Sequence, residues 1–279
     1  MRHNLKTFTR GKVNIKFYGT SRIESGISPV DVERGITSKT GNTHASVQNC
    51  GMSAEVVGWG MKMQELYYAT ADVMVIEIHP GKNPMTGGTH GQIHKEFIVN
   101  MIDQYISFHL NHVFVLHYMA NLLSELREKL VVKNMYTYLN GWTSVEYVED
   151  PYRLNLVKKK VSQWAEEDLN KIDYMYGWDD LAKEIRTLQQ RSGCRLIFIR
   201  MPVDGLLRDQ NQVFLANFDC MQFLSNEFPS AQVIDATTDP VLGNFHKSED
   251  SHLSAEVASR FSFELGRQLQ LEGILPHHE

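Results

Sequence analysis

The sequence predicts a three-layer α/β/α sandwich built on a mostly parallel, five-stranded sheet, with a mainly helical insertion. Three observations carry this. Five short runs rich in Val, Ile and Phe are spread along the chain. Helical patterns fall between them, and strands joined through helices make parallel pairs with right-handed crossovers. A block over residues 90–192 interrupts this order with helical patterns and no convincing strand.

The elements follow in order. Val13–Tyr18 alternates β-branched and aromatic residues as a strand does, and stops at Gly19-Thr20-Ser21-Arg22. Residues 31–36 start a short helix, and 38–42 are loop. A second strand over 44–49 ends at Asn49-Cys50-Gly51-Met52-Ser53, and Ser53 caps a helix over 54–69. Residues 73–78 form a third strand, apolar enough to be buried on both faces. Glu77 is the anomaly in it: a buried carboxyl needs a partner, for which Arg22 and Arg200 are candidates. Residues 79–88 are a Pro/Gly-rich loop.

Within the insertion, 93–129 reads as one long helix or two, and 134–150 as irregular and aromatic, with a turn signal at Asn140-Gly141. Residues 152–173 and 178–190 are amphipathic helices. Regular order resumes with a strand at Arg195–Arg200, a helix over 212–226, a short strand over 231–235, a loop over 237–250, and a final helix over 254–271 capped by Ser254. No linker composition marks either end of the insertion, so residues 1–279 are expected to form a single domain, with 90–192 as a helical insertion or lid.

Composition excludes several classes. The 279 residues carry a formal net charge of −5, with 42% hydrophobic and 22% charged residues, as in an ordinary globular protein that binds no nucleic acid. Three cysteines, Cys50, Cys194 and Cys220, lack metal-type spacing and are expected to be buried thiols. The basic N-terminus has no apolar core of a signal peptide, which points to the cytoplasm for the chain as given, or to the periplasm or outside if a leader was trimmed. The most apolar window, 105–123, is broken by His109, Asn111, His112, His117 and Asn121, against a transmembrane span.

The chemistry lies at the two ends of the chain. A strand that stops at Gly-Thr-Ser places the Ser21 hydroxyl at the carboxyl edge of the sheet, where open α/β sheets bind ligands. Glu249-Asp250-Ser251-His252-Leu253 precedes the last helix and supplies a base, His252, with two acids to orient it, Glu249 and Asp250. The backbone N–H groups of Ser21 or Arg22 and of Gly51 follow strands at that same edge and suit an oxyanion. A side-chain amide, Asn83 or Asn49, adds a third donor. Arg22 can bind a substrate carboxylate, and His79, at the end of the third strand, can touch substrate.

These blocks carry a resemblance. Gly19-Thr20-Ser21-Arg22 resembles the nucleophile block of the SGNH (GDSL-like) hydrolases, in a Gly-x-Ser-Arg form. Asn49-Cys50-Gly51-Met52-Ser53 resembles their glycine block, and Glu249-Asp250-Ser251-His252-Leu253-Ser254 their terminal Asp-x-x-His block. The resemblance covers most of the chain and implies a flavodoxin-like SGNH sheet and a Ser-His-acid esterase or acyltransferase with no metal or cofactor. It carries over Ser21 as nucleophile, His252 as base and Gly51 as oxyanion donor. Two departures stand out. Glu249 occupies the position of the family's aspartate, with Asp250 beside it. The third block, normally Gly-x-Asn-Asp, is replaced by Ile78-His79-Pro80-Gly81-Lys82-Asn83, which displaces the asparagine.

Other conspicuous residues have plainer readings. His90 and His94 share a helical face, but Gly91-Gln92-Ile93 between them lacks the glutamate of a metalloprotease motif, so no metal site is assigned. Lys158-Lys159-Lys160 reads as a solvated helix face. Tyr136, Tyr138, Trp142 and Tyr147 suit packing of the insertion, or stacking on a sugar or acyl chain. The expected function is hydrolysis of an acyl ester on a carbohydrate or small molecule. The alternatives are an O-acyltransferase of polysaccharide or envelope synthesis using the same triad, and a catalytically degenerate binding module.

Overall fold

The computed structural model describes residues 12–41, 45–51, 71–81, 84, 132–137, 142–147, 155, 158–159, 176–245, 247 and 250–271. In chain order the strands are β1 (Val13–Tyr18), β2 (Ala45–Asn49), β3 (Val73–Glu77), β4 (Val132–Thr137), β5 (Thr143–Tyr147), β6 (Arg195–Arg200) and β7 (Gln232–Asp235). Five of them form one sheet in the order β2-β1-β3-β6-β7, with every pairing parallel. β4 and β5 pair antiparallel as a separate ribbon.

Register explains the layers. Phe17, Val75 and Ile197 stand side by side across β1, β3 and β6. They point into a core completed by α1 (Ser21–Gly26), α2 (Pro29–Thr40) and, from the far end of the chain, Phe261 and Leu265. One residue further on, Tyr18, Ile76 and Phe198 form the next row and face the opposite side. There they meet Trp178, Leu181, Ala182 and Ile185 of α3 (Trp178–Ser192). The period of two along each strand thus divides one apolar run between two cores, which is the three-layer sandwich. Each large side chain so buried contributes about 1.5–3 kcal/mol. α4 (Gly205–Asn217) and α5 (Cys220–Glu227) follow β6, and α6 (Ala255–Gln268) closes the described chain against α2.

Several elements differ from the sequence reading. α1 was not anticipated; Thr20 caps it, its Oγ1 accepting the Arg22 N–H. The helix expected over 31–36 is longer, because Pro29 is suited to its first turn and Gly41, at φ 71°, ends it. The single helix expected over 212–226 is two, since Asp219 interrupts it and caps α5 by accepting the Gln222 N–H. The block expected to lack strands contains the β4–β5 ribbon. Its short, half-polar strands pair with each other across the Asn140-Gly141 segment and so lack the apolar run of a sheet-core strand. α3, read as the end of the insertion, is a layer of the sandwich and the helix leading into β6. The helices expected over 54–69 and 93–129 lie outside the described residues, as does most of the one over 152–173.

The edge strand β7 is held by charge as well as by its ladder. Arg200 is buried and donates two bonds to Asp235, Nε to Oδ1 (2.7 Å) and Nη2 to Oδ2 (2.6 Å). Arg200 is therefore committed to β7 and does not serve Glu77. Asp235→Ala leaves a buried guanidinium without its carboxylate, and is expected to lower stability by about 2–4 kcal/mol in urea denaturation. A change below about 0.5 kcal/mol would show that water replaces the carboxylate freely.

Candidate active site

In a sheet of this order the chain leaves β1 toward β2 on one side and reaches β3 on the other. The carboxyl ends of β1 and β3 therefore flank the crevice where such folds bind ligands. Ser21 lies immediately beyond β1 and Glu77 ends β3.

Ser21 is the first residue of α1, so its N–H has no partner within the helix. Its Oγ lies 2.9 Å from His252 Nε2, across 231 residues of sequence. Both residues are half-buried, held by the fold yet open to a substrate. The turn beneath them is tightly constrained. Thr20 N–H donates to Glu77 Oε2 at 2.6 Å, and Ser25 Oγ donates to the Ser21 carbonyl at 2.8 Å. Gly19 is packed so closely on Glu77 that a Cβ there would overlap its carboxyl. Glu77 is 1% exposed and its Oε1 has no partner among the described residues, an arrangement that costs about 1–3 kcal/mol.

The β2 block frames the other side. Asn49, fully buried, donates through Nδ2 to the carbonyls of Ile23 (2.7 Å), Glu24 (3.2 Å) and Ile27 (2.8 Å). It is a clamp on the C-terminal half of α1, not the oxyanion donor considered from sequence. Its Oδ1 accepts the Gly51 N–H at 2.9 Å, so the amide expected at the oxyanion is engaged by Asn49. Gly51 is required for packing, because a Cβ there would strike the α1 backbone at Ile23 and Glu24. Cys50 beside it is a buried, unreactive thiol: burial pushes its pKa up to about 11.

The histidine loop is anchored from several directions. Arg22, only 7% exposed, donates through Nε to Ser251 Oγ at 3.2 Å. It ties α1 to the residue before His252, which makes it a buried brace where the sequence suggested a substrate contact. Asp250, one of two acids offered for the base, has its carboxylate elsewhere: Oδ1 pairs with Lys158 at 3.0 Å and the group packs against Gly205. Lys158 is thus part of an ion pair at the site edge rather than a purely solvated charge. The Asp250 carbonyl accepts the Asp204 N–H at 2.9 Å, and buried Lys247 reaches Asp204 Oδ1 (3.4 Å) and the Gly243 carbonyl (3.2 Å). Burial lowers the Lys247 pKa, and Asp204 partly offsets that. His79 lies half-buried just past β3. Glu249, Asn83, His90 and His94 lie outside the described residues.

Thr20, Ser251, Asp204 and Lys247 escaped the sequence reading. Only Thr20 left a signal, as a hydroxyl between a strand and a helix. Among the described residues, no three His, Cys, Asp or Glu side chains are grouped to hold a metal ion, and no helix is long and apolar enough to cross a membrane.

No protein-family profile and no curated protein matches the chain. Solved structures similar to the chain are found at low identity. One is a lipase from a goat rumen metagenome (11% identity, TM-score 0.41, covering 91% of this chain and 96% of that one). Another is an alpha/beta hydrolase enzyme from the metagenome of Lake Arreo, Spain (8%, TM-score 0.40, 98% and 100%). A third is a family two carbohydrate esterase from Clostridium thermocellum in complex with cellohexaose (9%, TM-score 0.37, 94% and 64%).

Proposed function

We propose that this protein is a serine ester hydrolase of the SGNH type. The observation that carries the reading is the 2.9 Å approach of Ser21 Oγ to His252 Nε2 at the crevice between β1 and β3. Ser21 Oγ attacks the ester carbonyl as His252 Nε2 takes its proton. The tetrahedral oxyanion is met by the Ser21 N–H at the positive end of α1. His252 then gives the proton to the departing alkoxide, leaving acyl-Ser21 and an alcohol. Water repeats the sequence, His252 taking its proton, and a carboxylic acid leaves. With Asp250 engaged by Lys158, the acid that orients His252 is Glu249. The insertion sets substrate choice, and an O-acyl group on a carbohydrate is the class proposed. Its ribbon reaches the nucleophile helix, since Trp142 Nε1 donates to the Ser25 carbonyl (2.9 Å) and Thr143 Oγ1 to Glu24 Oε1 (3.3 Å).

The test is turnover of p-nitrophenyl acetate and butyrate by the wild type and by Ser21→Ala, with a serine-reactive phosphonate and peptide mass mapping alongside. Ser21→Ala is expected to lose roughly 10⁴-fold or more in kcat, and the label is expected on Ser21 alone. Well-folded wild-type protein that neither turns over nor takes the label at Ser21 would overturn the reading.

A further inference from the structure

We infer that Glu77 is a positioning residue for the nucleophile, holding the Thr20–Ser21 turn so that the Ser21 hydroxyl reaches His252. The inference rests on Ser21 being the attacking group.

Four observations support it. Glu77 is the last residue of β3, in a strand otherwise built of Val, Met and Ile. Thr20, which receives the bond, is the cap that sets the direction of α1 and precedes Ser21 directly. Gly19 has no room for a side chain because the Ile23 side chain and the Glu77 side chain, its carboxyl included, occupy that space, so Gly19 is what lets Glu77 approach the turn. Neither candidate arginine is bonded to the carboxyl: Arg200 serves Asp235 and Arg22 Nε serves Ser251. A purely apolar residue here would complete β3 with less desolvation, but would leave the buried Thr20 N–H without an acceptor. The acceptor crosses from β3 to the exit of β1, the two strands that flank the crevice. It thereby fixes the peptide whose next N–H faces the developing oxyanion.

The test compares the full-length wild type with Glu77→Gln and Glu77→Met. Gln keeps an oxygen acceptor for Thr20, and Met keeps the volume without it. The readouts are kcat and KM on p-nitrophenyl acetate, the rate of phosphonate labelling at Ser21, and the Thr20 amide proton resonance. Glu77→Met is expected to lose about tenfold or more in kcat and labelling rate with KM little changed, because small misplacements of a reacting group carry such penalties. Its Thr20 amide proton is expected to move upfield. Glu77→Gln is expected to recover most of the rate and most of the shift. If Glu77→Met does not fold, Glu77→Asp serves in its place, since it withdraws the carboxyl by one methylene and is expected to show the same loss. A folded Met or Asp variant reacting at the wild-type rate would overturn the inference while leaving the esterase reading intact. So would Gln and Met variants that are equally slow with Thr20 unmoved. An unlabelled Ser21 in the wild type would remove both.

Discussion

Replacing His252 by alanine is expected to lower kcat on p-nitrophenyl acetate by roughly 10⁴-fold or more, with the thermal midpoint nearly unchanged. On the proposed mechanism the effect is large because Ser21 Oγ loses the imidazole 2.9 Å away that takes its proton, and the neutral hydroxyl is a poor nucleophile. The fold should tolerate the change, since His252 is half-buried and the loop is held by Arg22–Ser251 and by Asp204 on the Asp250 carbonyl. The same assay separates the two acids. Asp250→Asn is expected to cost only a few-fold, because its carboxylate faces Lys158 and Gly205. Glu249→Gln is expected to cost roughly 10³–10⁴-fold, the scale of losing the group that orients a catalytic histidine. The reverse order would return the acid role to Asp250. A His252→Ala variant with wild-type turnover would end the triad reading.

The second large effect is on stability. Asn49→Ala is expected to destabilise the protein by about 3–5 kcal/mol, measured as a shift of the urea midpoint at constant m. The change removes the donor shared by the Ile23, Glu24 and Ile27 carbonyls and the acceptor of the Gly51 N–H, and the Ile23 and Ile27 bonds are buried away from water. Asn49→Asp is expected to be at least as damaging despite its nearly identical shape. It places an acceptor where carbonyls converge. A loss below about 1 kcal/mol in both variants would show that α1 is held by other contacts.

Asn49 also shows how far the sequence could be read. As an asparagine at a strand end two residues before a glycine, it read as a side-chain amide donor for an oxyanion. Its actual work depends on α1, a helix of six residues too short to announce itself by periodicity. Glu77 is the converse case. A carboxyl in an apolar strand was visible as an anomaly, but its partner is a backbone N–H. Backbone groups are present at every residue, so no sequence pattern could single out the Thr20 N–H as the partner of Glu77.

The sequence by itself determined the five parallel strands, each to within one residue at either end and β1 and β6 at both ends, because apolar runs bounded by turn residues have few alternative uses. It also singled out Ser21 and His252 as candidates, and the structure brings their side chains to 2.9 Å, since a hydroxyl after one strand and a histidine before the last helix share the carboxyl edge of such a sheet. Tertiary structure alone decided which acid was otherwise engaged, that Arg22 is a brace, that Gly51 gives its amide to Asn49, and that α3 belongs to the sandwich. Apart from the local Asn49–Gly51 bond, each of these depends on which atoms meet across tens to hundreds of residues, and residue type and spacing do not encode the direction in which a side chain points once the loop that carries it has folded.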